Sequence, residues 1–419
     1  MSIPERTDLL GIGFGPANLA LAIAFAERGV HAVFAEAQQR FGWHRGMLLP
    51  GARMQVPFLK DLVTLRNAQS GFTFVNYLSE QDRLVEFIGR HTLFPSRLEF
   101  HDYLEWAAAR VGADVRYGQR VVEVGAEATG FVVRTASDWV IRAGALVLGT
   151  GLQPVLPEGV AATARQWHSH TLLDGLAGLG PVAFRRFAVV GAGQSAAEVV
   201  GYLHRQYPDA EVHAVFARYG YSQADDNPYA NRIFDPSAVE DFYAADEPLR
   251  KRLLDYHRST NYSAVDLELI EDLYSREYAE RVSGKRRLII HNASEAIAAQ
   301  EHSDGVRLTI SHLVSHEQET LDCDAVIYAT GYAPLDIRGF LGELSSRYEF
   351  DSTGRPAVTR DYRLVAKSGA PGDIFLNGSV EHTHGLASSL LSNVAVRAGE
   401  IATAFAPARG IARGPRAAS

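Results

Sequence analysis

Two glycine-rich segments of this chain have the residue types and spacing that bind the diphosphate of a dinucleotide. The first contains Gly11, Gly13 and Gly15 after an apolar run, and the second contains Gly191 and Gly193 in the same setting. Glycines at this spacing allow backbone N–H groups and a helix N-terminus to point at a diphosphate. Both segments are therefore predicted to be nucleotide-binding turns between a strand and a helix.

The residues that end the next strand of each unit differ in charge. After the first turn, the run at 31–36 ends in Glu36, whose carboxylate can accept a hydrogen bond from a free ribose 2′-hydroxyl. After the second turn, the run at 211–218 ends in Arg218, which suits a 2′-phosphate. The pair predicts FAD at the first turn and NADPH at the second, with electron transfer between them.

Strand-like and helix-like runs indicate the elements that position these turns. The fold class predicted is α/β: two Rossmann-like dinucleotide-binding domains, the FAD domain interrupted by the NADPH domain, plus a small, mainly helical substrate-binding region. The FAD domain is assigned to residues 1–180 and 320–419, because the runs at 325–332 and 374–379, each a strand that ends in a turn of small residues, are interpreted as its completion. The NADPH domain is assigned to residues 181–319.

Within the NADPH domain, residues 219–281 have no strand rhythm and form an excursion that we expect to bind substrate. Helices are predicted there at 236–245, 248–256 and 266–281. The tail at 407–419, rich in Ala, Arg, Gly and Pro, is predicted to be disordered.

Composition restricts the classes of function. The 419 residues are 47% apolar and 21% charged, with a formal net charge of −8, and a basic block occurs only at the C-terminal end. This pattern argues against nucleic acid and membranes as partners and predicts no transmembrane helix. The single cysteine, Cys323, excludes a redox dithiol and lies in a buried-strand pattern, so an inert thiol in the cytosol is expected.

Several different motifs are distributed along nearly the whole chain. They comprise Gly13-Phe-Gly15-Pro16-Ala-Asn18-Leu19, the segments that contain Trp43 and His44, Gln55 and Lys60, Asn231, and Asn261, the Ala-Thr330-Gly-Tyr332 run, and Leu391-Ser392-Asn393. Together they resemble the microbial N-hydroxylating flavin monooxygenases, which act on ornithine, lysine or diamines for siderophores and related nonribosomal peptides. Tyr328 stands where that family usually has Leu or Phe, which keeps a large strand residue.

The resemblance implies a reaction and its cofactors. NADPH reduces FAD, and the reduced flavin takes up molecular oxygen as co-substrate to give a C4a-hydroperoxyflavin. The amine of the substrate then attacks the distal oxygen, which gives a hydroxylamine and water. Since the cofactor carries the chemistry, the protein places the reactants and excludes water. The resemblance also implies a homo-oligomer, either a dimer or a tetramer.

The resemblance assigns residues to each cofactor. The predicted FAD set consists of turn, strand-end and ring-contacting residues: Gly11, Gly13, Gly15, Pro16, Asn18, Glu36, Trp43, His44, Gln55 and Leu391. The predicted NADPH set combines the second turn with the 2′-phosphate arginine and the Thr-Gly-Tyr run: Gly191, Gly193, Gln194, Ser195, Arg218, Thr330 and Tyr332. The register of Arg218 against the family's arginine is offset by one residue.

The substrate set is Lys60, Asn231, Asn261 and Ser392. By resemblance, Lys60 pairs with an α-carboxylate, Asn231 meets the same end of an amino acid, and Asn261 orients the reacting amine. An alkylamine has a pKa near 10.4, so only about one molecule in 10³ is neutral at pH 7. A neutral acceptor such as asparagine orients the amine without stabilising its charge, whereas a carboxylate would hold it protonated.

The sequence leaves alternatives open for the substrate and for the class of flavoprotein. Lys60 argues for an amino acid over a diamine, and the segments after Lys60 and around Asn231 favour ornithine over lysine, although one methylene is worth only about 1–3 kcal/mol. A Baeyer–Villiger or sulfur monooxygenase and a non-catalytic flavin-binding protein are weaker alternatives. No metal site is predicted, because His382 and His384 lack a distant ligand set.

Overall fold

The computed structural model describes residues 5–405, so the predicted disorder at 407–419 lies outside the described residues. The strands are β1 Glu5–Ile12, β2 Val33–Ala35, β3 Asp114–Arg116, β4 Val121–Ala126, β5 Phe131–Thr135, β6 Val140–Leu148, β7 Leu152–Pro154, β8 Gln166–His168, β9 Arg186–Val190, β10 Glu211–Val215, β11 Leu288–His291, β12 Ser294–Glu301, β13 Val306–His312, β14 Gln318–Cys323, β15 Ala325–Tyr328, β16 Tyr332–Pro334 and β17 Ile374–Leu376. The α-helices are α1 Pro16–Ala26, α2 Phe74–Glu80, α3 Leu84–Gly89, α4 Arg97–Arg110, α5 Leu172–Gly178, α6 Gln194–Gln206, α7 Ala238–Ala244, α8 Glu247–Tyr256, α9 Leu267–Ser283, α10 Ile337–Leu341, α11 Glu381–His384 and α12 Val394–Phe405.

The first sheet contains the first glycine turn. Its order is β3-β2-β1-β6-β5-β4, with β17 also paired to β6. β1, β2, β3, β6 and β17 run parallel, whereas β4 and β5 add an antiparallel edge. The central strand β1 is apolar at its C-terminal end, and α1 is buried along most of its length against the sheet and α12. This continuous burial is what a parallel strand covered on both faces requires.

The second sheet is wholly parallel, with the order β11-β10-β9-β15-β8. The prediction that the run at 325–328 completes the FAD domain is therefore wrong, because this run is β15 and pairs with β9 of the second sheet. β8 joins the same sheet although it precedes residue 181. Only β17 returns to the first sheet as expected. A buried apolar strand indicates that both its faces are covered, but it carries no information about which strand lies beside it.

The excursion at 219–281 is helical, as predicted, and contains α7, α8 and α9. A separate antiparallel sheet of β12, β13 and β14 follows β11 and packs against the second sheet. The predicted α/β fold with two Rossmann-like units is confirmed. The two units have their own apolar cores, one around each parallel sheet.

Candidate active site

The first turn leaves room for a diphosphate. Gly13 has φ +88, and a Cβ there would lie 2.5 Å from the Gly149 carbonyl oxygen, so only glycine fits. A Cβ on Gly15, which caps the N-terminus of α1, would have no atom within 4 Å. Pro16 occupies the first helical turn, where a missing N–H costs nothing. The open side of the turn thus faces unpaired helix N–H groups that suit an anion.

Glu36 lies just after β2, beside this turn, and is 6% exposed. One carboxylate oxygen accepts from the Phe14 N–H at 2.6 Å and the other from the Gln38 N–H at 2.7 Å. A carboxylate has about four lone-pair positions, so two remain for a ribose hydroxyl. The carboxylate is held in place by the backbone of the turn it serves.

Asn18, predicted as an FAD contact, lies behind the turn. It is fully buried, and its amide nitrogen donates to the Gly13 carbonyl at 2.7 Å while its amide oxygen accepts from Asn377 at 3.0 Å. Its side chain therefore shapes the turn from the protein side. The sequence gives the motif, but it does not show which face of the turn the asparagine occupies.

The second turn has the same geometry and a groove beside it. Gly191 has φ +136, and a Cβ there would lie 2.4 Å from the Ala329 carbonyl oxygen, while Gly193 caps α6. A groove of about 300 Å³ is lined by the turn, the end of β10 and the start of β12: Val190, Gly191, Ala192, Val215, Phe216, Ala217, Arg218, Ser294, Glu295 and Ala296. Arg218 thus shares one groove with the turn, and its guanidinium donates to the Ser263 carbonyl at 2.9 Å.

Residues assigned to different nucleotides meet between the two turns. The ring centroids of His44, from the FAD set, and Tyr332, from the NADPH set, are 5.9 Å apart, and His168 and His170 pack on the same tyrosine. Burial lowers the pKa of His44 to about 3, so this imidazole is neutral. Trp43 packs next to His44 with ring centroids 4.9 Å apart. The aromatic group lies where the two predicted cofactor sets approach one another.

Asp266 forms hydrogen bonds with one residue of the predicted FAD set and one of the predicted NADPH set. The sequence did not identify it. Its Oδ1 accepts from Gln55 at 3.1 Å and its Oδ2 from Gln194 at 2.9 Å, while its own N–H donates to the Gln194 amide oxygen at 2.9 Å. Asp266 precedes α9 but makes no side-chain cap for it. An aspartate before a helix predicts a cap, and nothing in its local sequence indicates that its oxygens are used by two glutamines.

An ion pair next to this contact joins the two Rossmann units. Arg97, at the start of α4, donates from both Nη atoms to the two oxygens of Glu198 in α6, each at 2.8 Å. The side chains are 14% and 6% exposed. Glu198 also accepts from Gln194 at 3.0 Å, so the pair supports the residue that binds Asp266.

Lys60 lies next to the short helix that carries Asn231. Lys60 Nζ lies 6.0 Å from the centroid of Phe234, which ends the 3₁₀ helix Ala230–Phe234 that carries Asn231. Burial lowers the pKa of Lys60, an effect that Asp235 opposes. The Asn231 amide donates to the Asp226 carbonyl at 2.6 Å, which leaves its oxygen available. A half-buried ammonium without an ion pair in the described chain is suited to a ligand carboxylate.

Asn261 is placed through its neighbour Tyr262. The Tyr262 hydroxyl lies 2.6 Å from both carboxylate oxygens of Glu381, the first residue of α11. Burial raises the pKa of Glu381, while hydrogen bonds from Tyr262 and Ser389 oppose the rise. This contact ties the excursion, which carries Asn261, to the C-terminal part of the first unit.

The segment at 386–393 faces the same region and carries Leu391 and Ser392. Ser392 is 2% exposed, and both amide atoms of the adjacent Asn393 are buried without a hydrogen-bond partner in the structure. Phe234 packs against Leu386 of this segment, so the Asn231 helix and the segment are in contact. Unpartnered buried amide atoms at this place are consistent with a polar ligand.

The remaining predicted residues are placed as follows. Gly11 in β1 packs on Phe34, and Ser195 lies in the first turn of α6. The Thr330 hydroxyl donates to the Val155 carbonyl at 2.5 Å, so it joins two connecting segments. His382 and His384 bond the carbonyls of Pro356 and Arg360. Among residues 5–405 no group of three or more potential metal ligands occurs, and no helix there is long and apolar enough to cross a membrane.

These observations describe two dinucleotide turns and the segments that carry the predicted substrate residues, and comparison with known proteins adds to them. The family described as L-lysine 6-monooxygenase/L-ornithine 5-monooxygenase matches residues 5–334. The chain belongs to this family.

Individual members of the family are similar along almost their whole length. The L-ornithine N(5)-monooxygenase of Burkholderia cepacia is 40% identical, over 90% of this chain and 89% of that protein. The ornithine N-hydroxylase of Kutzneria sp. 744, in a structure described with reduced FAD, NADP⁺ and L-ornithine, is 44% identical with a TM-score of 0.93, over 96% of this chain and 99% of that one. The L-lysine 6-monooxygenase of Pseudomonas syringae is 33% identical with a TM-score of 0.85, over 96% and 99% of the two chains.

Proposed function

We propose that this chain is an FAD- and NADPH-dependent L-ornithine N(5)-monooxygenase, which hydroxylates the side-chain amine with molecular oxygen for a hydroxamate siderophore or nonribosomal peptide. The observation that carries the proposal is that Lys60 lies beside the helix that carries Asn231, and that this helix and the Asn261 segment both contact the C-terminal part of the first unit, through Leu386 and Glu381.

The residues present fit both cofactors. FAD suits the first turn, since Gly15 leaves the N-terminus of α1 open and Glu36 is available for the ribose. NADPH suits the second turn, since Arg218 shares its groove and is available for a 2′-phosphate. When bound, the NADPH-reduced flavin supplies the activated oxygen.

The protein's part is to bind an amino acid and present its neutral amine. Lys60 pairs with the α-carboxylate, and Asn231 bonds the same end of the substrate. At the other end, the amide oxygen of Asn261 accepts a hydrogen bond from the amine. Selecting the neutral amine at pH 7 costs about 4–5 kcal/mol, because its pKa is near 10.4. A neutral acceptor adds no charge that would increase this cost.

Lysine N(6)-hydroxylation is the second candidate, because the Pseudomonas syringae lysine enzyme shares the fold at 33% identity. The higher identity of the two ornithine enzymes supports ornithine. A diamine is disfavoured by Lys60, whose charge would have no carboxylate to meet.

A direct test supplies the purified, FAD-loaded protein with NADPH, oxygen and ornithine. Hydroxylamine formation and NADPH consumption are measured together, since oxidation of NADPH without hydroxylation would give only peroxide. We expect about one hydroxylamine for each NADPH. Oxygenation of a cyclic ketone or a thioether instead of the amine would contradict the proposal and favour a Baeyer–Villiger or sulfur monooxygenase.

The proposal includes a homo-oligomer. One group of exposed apolar side chains lies in and after α3, where Val85 is 80% and Ile88 is 65% exposed. Such a surface is suited to a second copy of the chain. Light scattering coupled to gel filtration should give a dimer or tetramer, and Val85→Asp together with Ile88→Asp should give smaller species. A monomeric wild type would contradict this part of the proposal.

A further inference from the structure

Arg397 is a buried cation that the activity described above does not use. It lies in α12, is 3% exposed, and donates from Nε to Asn377 at 3.0 Å and from Nη1 to the Ser388 carbonyl at 2.5 Å. Within residues 5–405 it forms no ion pair, and the nearby Glu400 is paired with Arg360 at 2.9 Å. A buried guanidinium without a counter-ion is costly, so its retention calls for a compensating charge.

A chain of buried hydrogen bonds runs from Arg397 to the first glycine turn. Arg397 donates to the amide oxygen of Asn377, the Asn377 nitrogen donates to Asn18 at 3.0 Å, and the Asn18 nitrogen donates to the Gly13 carbonyl at 2.7 Å. Every donor in the chain points towards the turn. Aligned amides of this kind polarise one another in a low-dielectric interior and extend the influence of the positive charge towards the turn.

The second hydrogen bond of Arg397 goes to the segment at 386–393. Ser388 belongs to the 3₁₀ helix Leu386–Ser389, which leads directly into Leu391 and Ser392. One side chain is therefore bonded to the segment that carries substrate residues and, through two asparagines, to the diphosphate turn.

We propose that Arg397 is a positioning residue for FAD, which sets the spacing between the Gly13 turn and the 386–393 segment and whose charge is balanced by the FAD diphosphate. The inference rests on the proposed function only in taking FAD as the occupant of the turn. The proposed role explains why positions 18 and 377 both hold asparagine. At each position the side chain accepts a hydrogen bond from one neighbour and donates a hydrogen bond to the next.

The test measures FAD affinity and unfolding temperature rather than turnover. Apoprotein is titrated with FAD by flavin fluorescence, and the melting temperature is recorded with and without FAD. We expect Arg397→Met to weaken FAD binding at least tenfold and to reduce the FAD-induced rise in melting temperature. Arg397→Lys keeps the charge and should recover part of both. Arg28→Met is the matched control, because Arg28 joins α1 to Thr403 of α12 at their exposed end.

A second variant keeps the inference testable if Arg397→Met does not fold. Asn377→Asp places a carboxylate beside Arg397 and breaks the donor chain to Asn18, so it should maintain or raise the melting temperature of the apoprotein while weakening FAD binding. Wild-type FAD affinity in Asn377→Asp, or in a folded Arg397→Met, would overturn the inference. A wild-type protein that binds no FAD would instead contradict the proposed function, so the two failures are distinguishable.

Discussion

At the residue scale, the proposed preference for an amino-acid substrate depends on Lys60. It is half-buried next to Phe234, and burial lowers the pKa of its ammonium. Its position against the Asn231 helix gives a physical reason for the role that the sequence resemblance assigned. The resemblance is informative for Lys60 because a partly buried charge is expected to pair with an opposite charge.

Replacing Lys60 by alanine should weaken ornithine binding and leave flavin reduction intact. A charge-assisted hydrogen bond contributes about 1.5–3 kcal/mol, so KM for ornithine should rise about ten- to hundredfold. Steady-state kinetics give KM, and anaerobic stopped-flow mixing with NADPH gives the reduction rate. A reduction rate that falls as much as the affinity would show that Lys60 is not a substrate clamp.

The lowered pKa of Lys60 also predicts a pH dependence. The ion pair with the α-carboxylate exists below that pKa and is lost as the pH rises through it, earlier than for an ordinary lysine near 10.4. Since the neutral amine of ornithine becomes more abundant as the pH rises, the loss of this ion pair is read from the difference between two proteins. Above neutral pH the KM for ornithine of the wild type should rise relative to that of Lys60→Arg, which stays charged. Parallel profiles for the two proteins would exclude Lys60 as the titrating group.

Arg218 should determine the preference for NADPH over NADH. It lines the groove beside the Gly191 turn and is exposed, so Arg218→Ala removes a contact to the 2′-phosphate without disturbing a core. The KM for NADPH should increase about ten- to hundredfold, as expected for a hydrogen bond to a charged group. NADH, which lacks that phosphate, serves as the internal control and should be used equally well by both proteins. An equal loss with both nucleotides would show that Arg218 does not read the phosphate.

At the element scale, the site is assembled from segments that are distant in the chain. Asn261 lies on the excursion of the second unit, whereas Glu381 and Ser392 follow the last strand of the first sheet. The contact between Tyr262 and Glu381 joins them and holds the loop that carries Asn261. Reading the sequence identified Asn261 but not Glu381, because no local pattern pairs a tyrosine with a glutamate 119 positions away.

Tyr262→Phe should therefore loosen Asn261 and uncouple the reaction. Loss of a hydrogen bond to a carboxylate should reduce hydroxylamine formation about tenfold or more, while NADPH oxidation continues as peroxide formation increases. The ratio of hydroxylamine to NADPH consumed is the measurement. Tyr256→Phe is the control, because Tyr256 is 81% exposed at the end of α8. A coupled Tyr262→Phe enzyme would show that the contact does not position the amine site.

Elements with local signals were predicted well, and pairings between distant strands were not. The glycine turns, α1 and the three excursion helices depend on spacing and capping within a few residues, so sequence reading located them. β15 was assigned to the wrong sheet because its pairing with β9 and β8 is decided by packing across the whole second unit. The networks of Asp266 and Arg397 were missed for the same reason, since each connects residues far apart in the chain.

At the scale of the whole molecule, we expect hydride transfer to depend on the relative orientation of the two Rossmann units. The Arg97–Glu198 pair is the most buried of the bidentate contacts described between them. Glu198 of this pair accepts a hydrogen bond from Gln194. Gln194 and Gln55 in turn both donate to Asp266. The same network therefore links domain orientation to the meeting point of the two predicted cofactor sets.

Glu198→Ala should destabilise the protein and slow flavin reduction. Removing one partner of a buried pair costs about 3–5 kcal/mol, since the other charge is left unpaired. Thermal unfolding should show a lower melting temperature, and anaerobic mixing with NADPH should show slower reduction, with little change in KM for ornithine. Glu268→Ala is the control, because its pair with Arg53 is exposed. A normal reduction rate in a destabilised Glu198→Ala protein would contradict the orienting role.

A competition between amines shows directly which substrate this protein hydroxylates. FAD-loaded protein receives NADPH, oxygen and an equimolar mixture of ornithine, lysine and putrescine, and the hydroxylated products are quantified by mass spectrometry. The proposed function predicts that N(5)-hydroxyornithine dominates, because ornithine is the proposed substrate and putrescine has no carboxylate to meet Lys60. Hydroxylysine or hydroxyputrescine in equal or greater amount would contradict it.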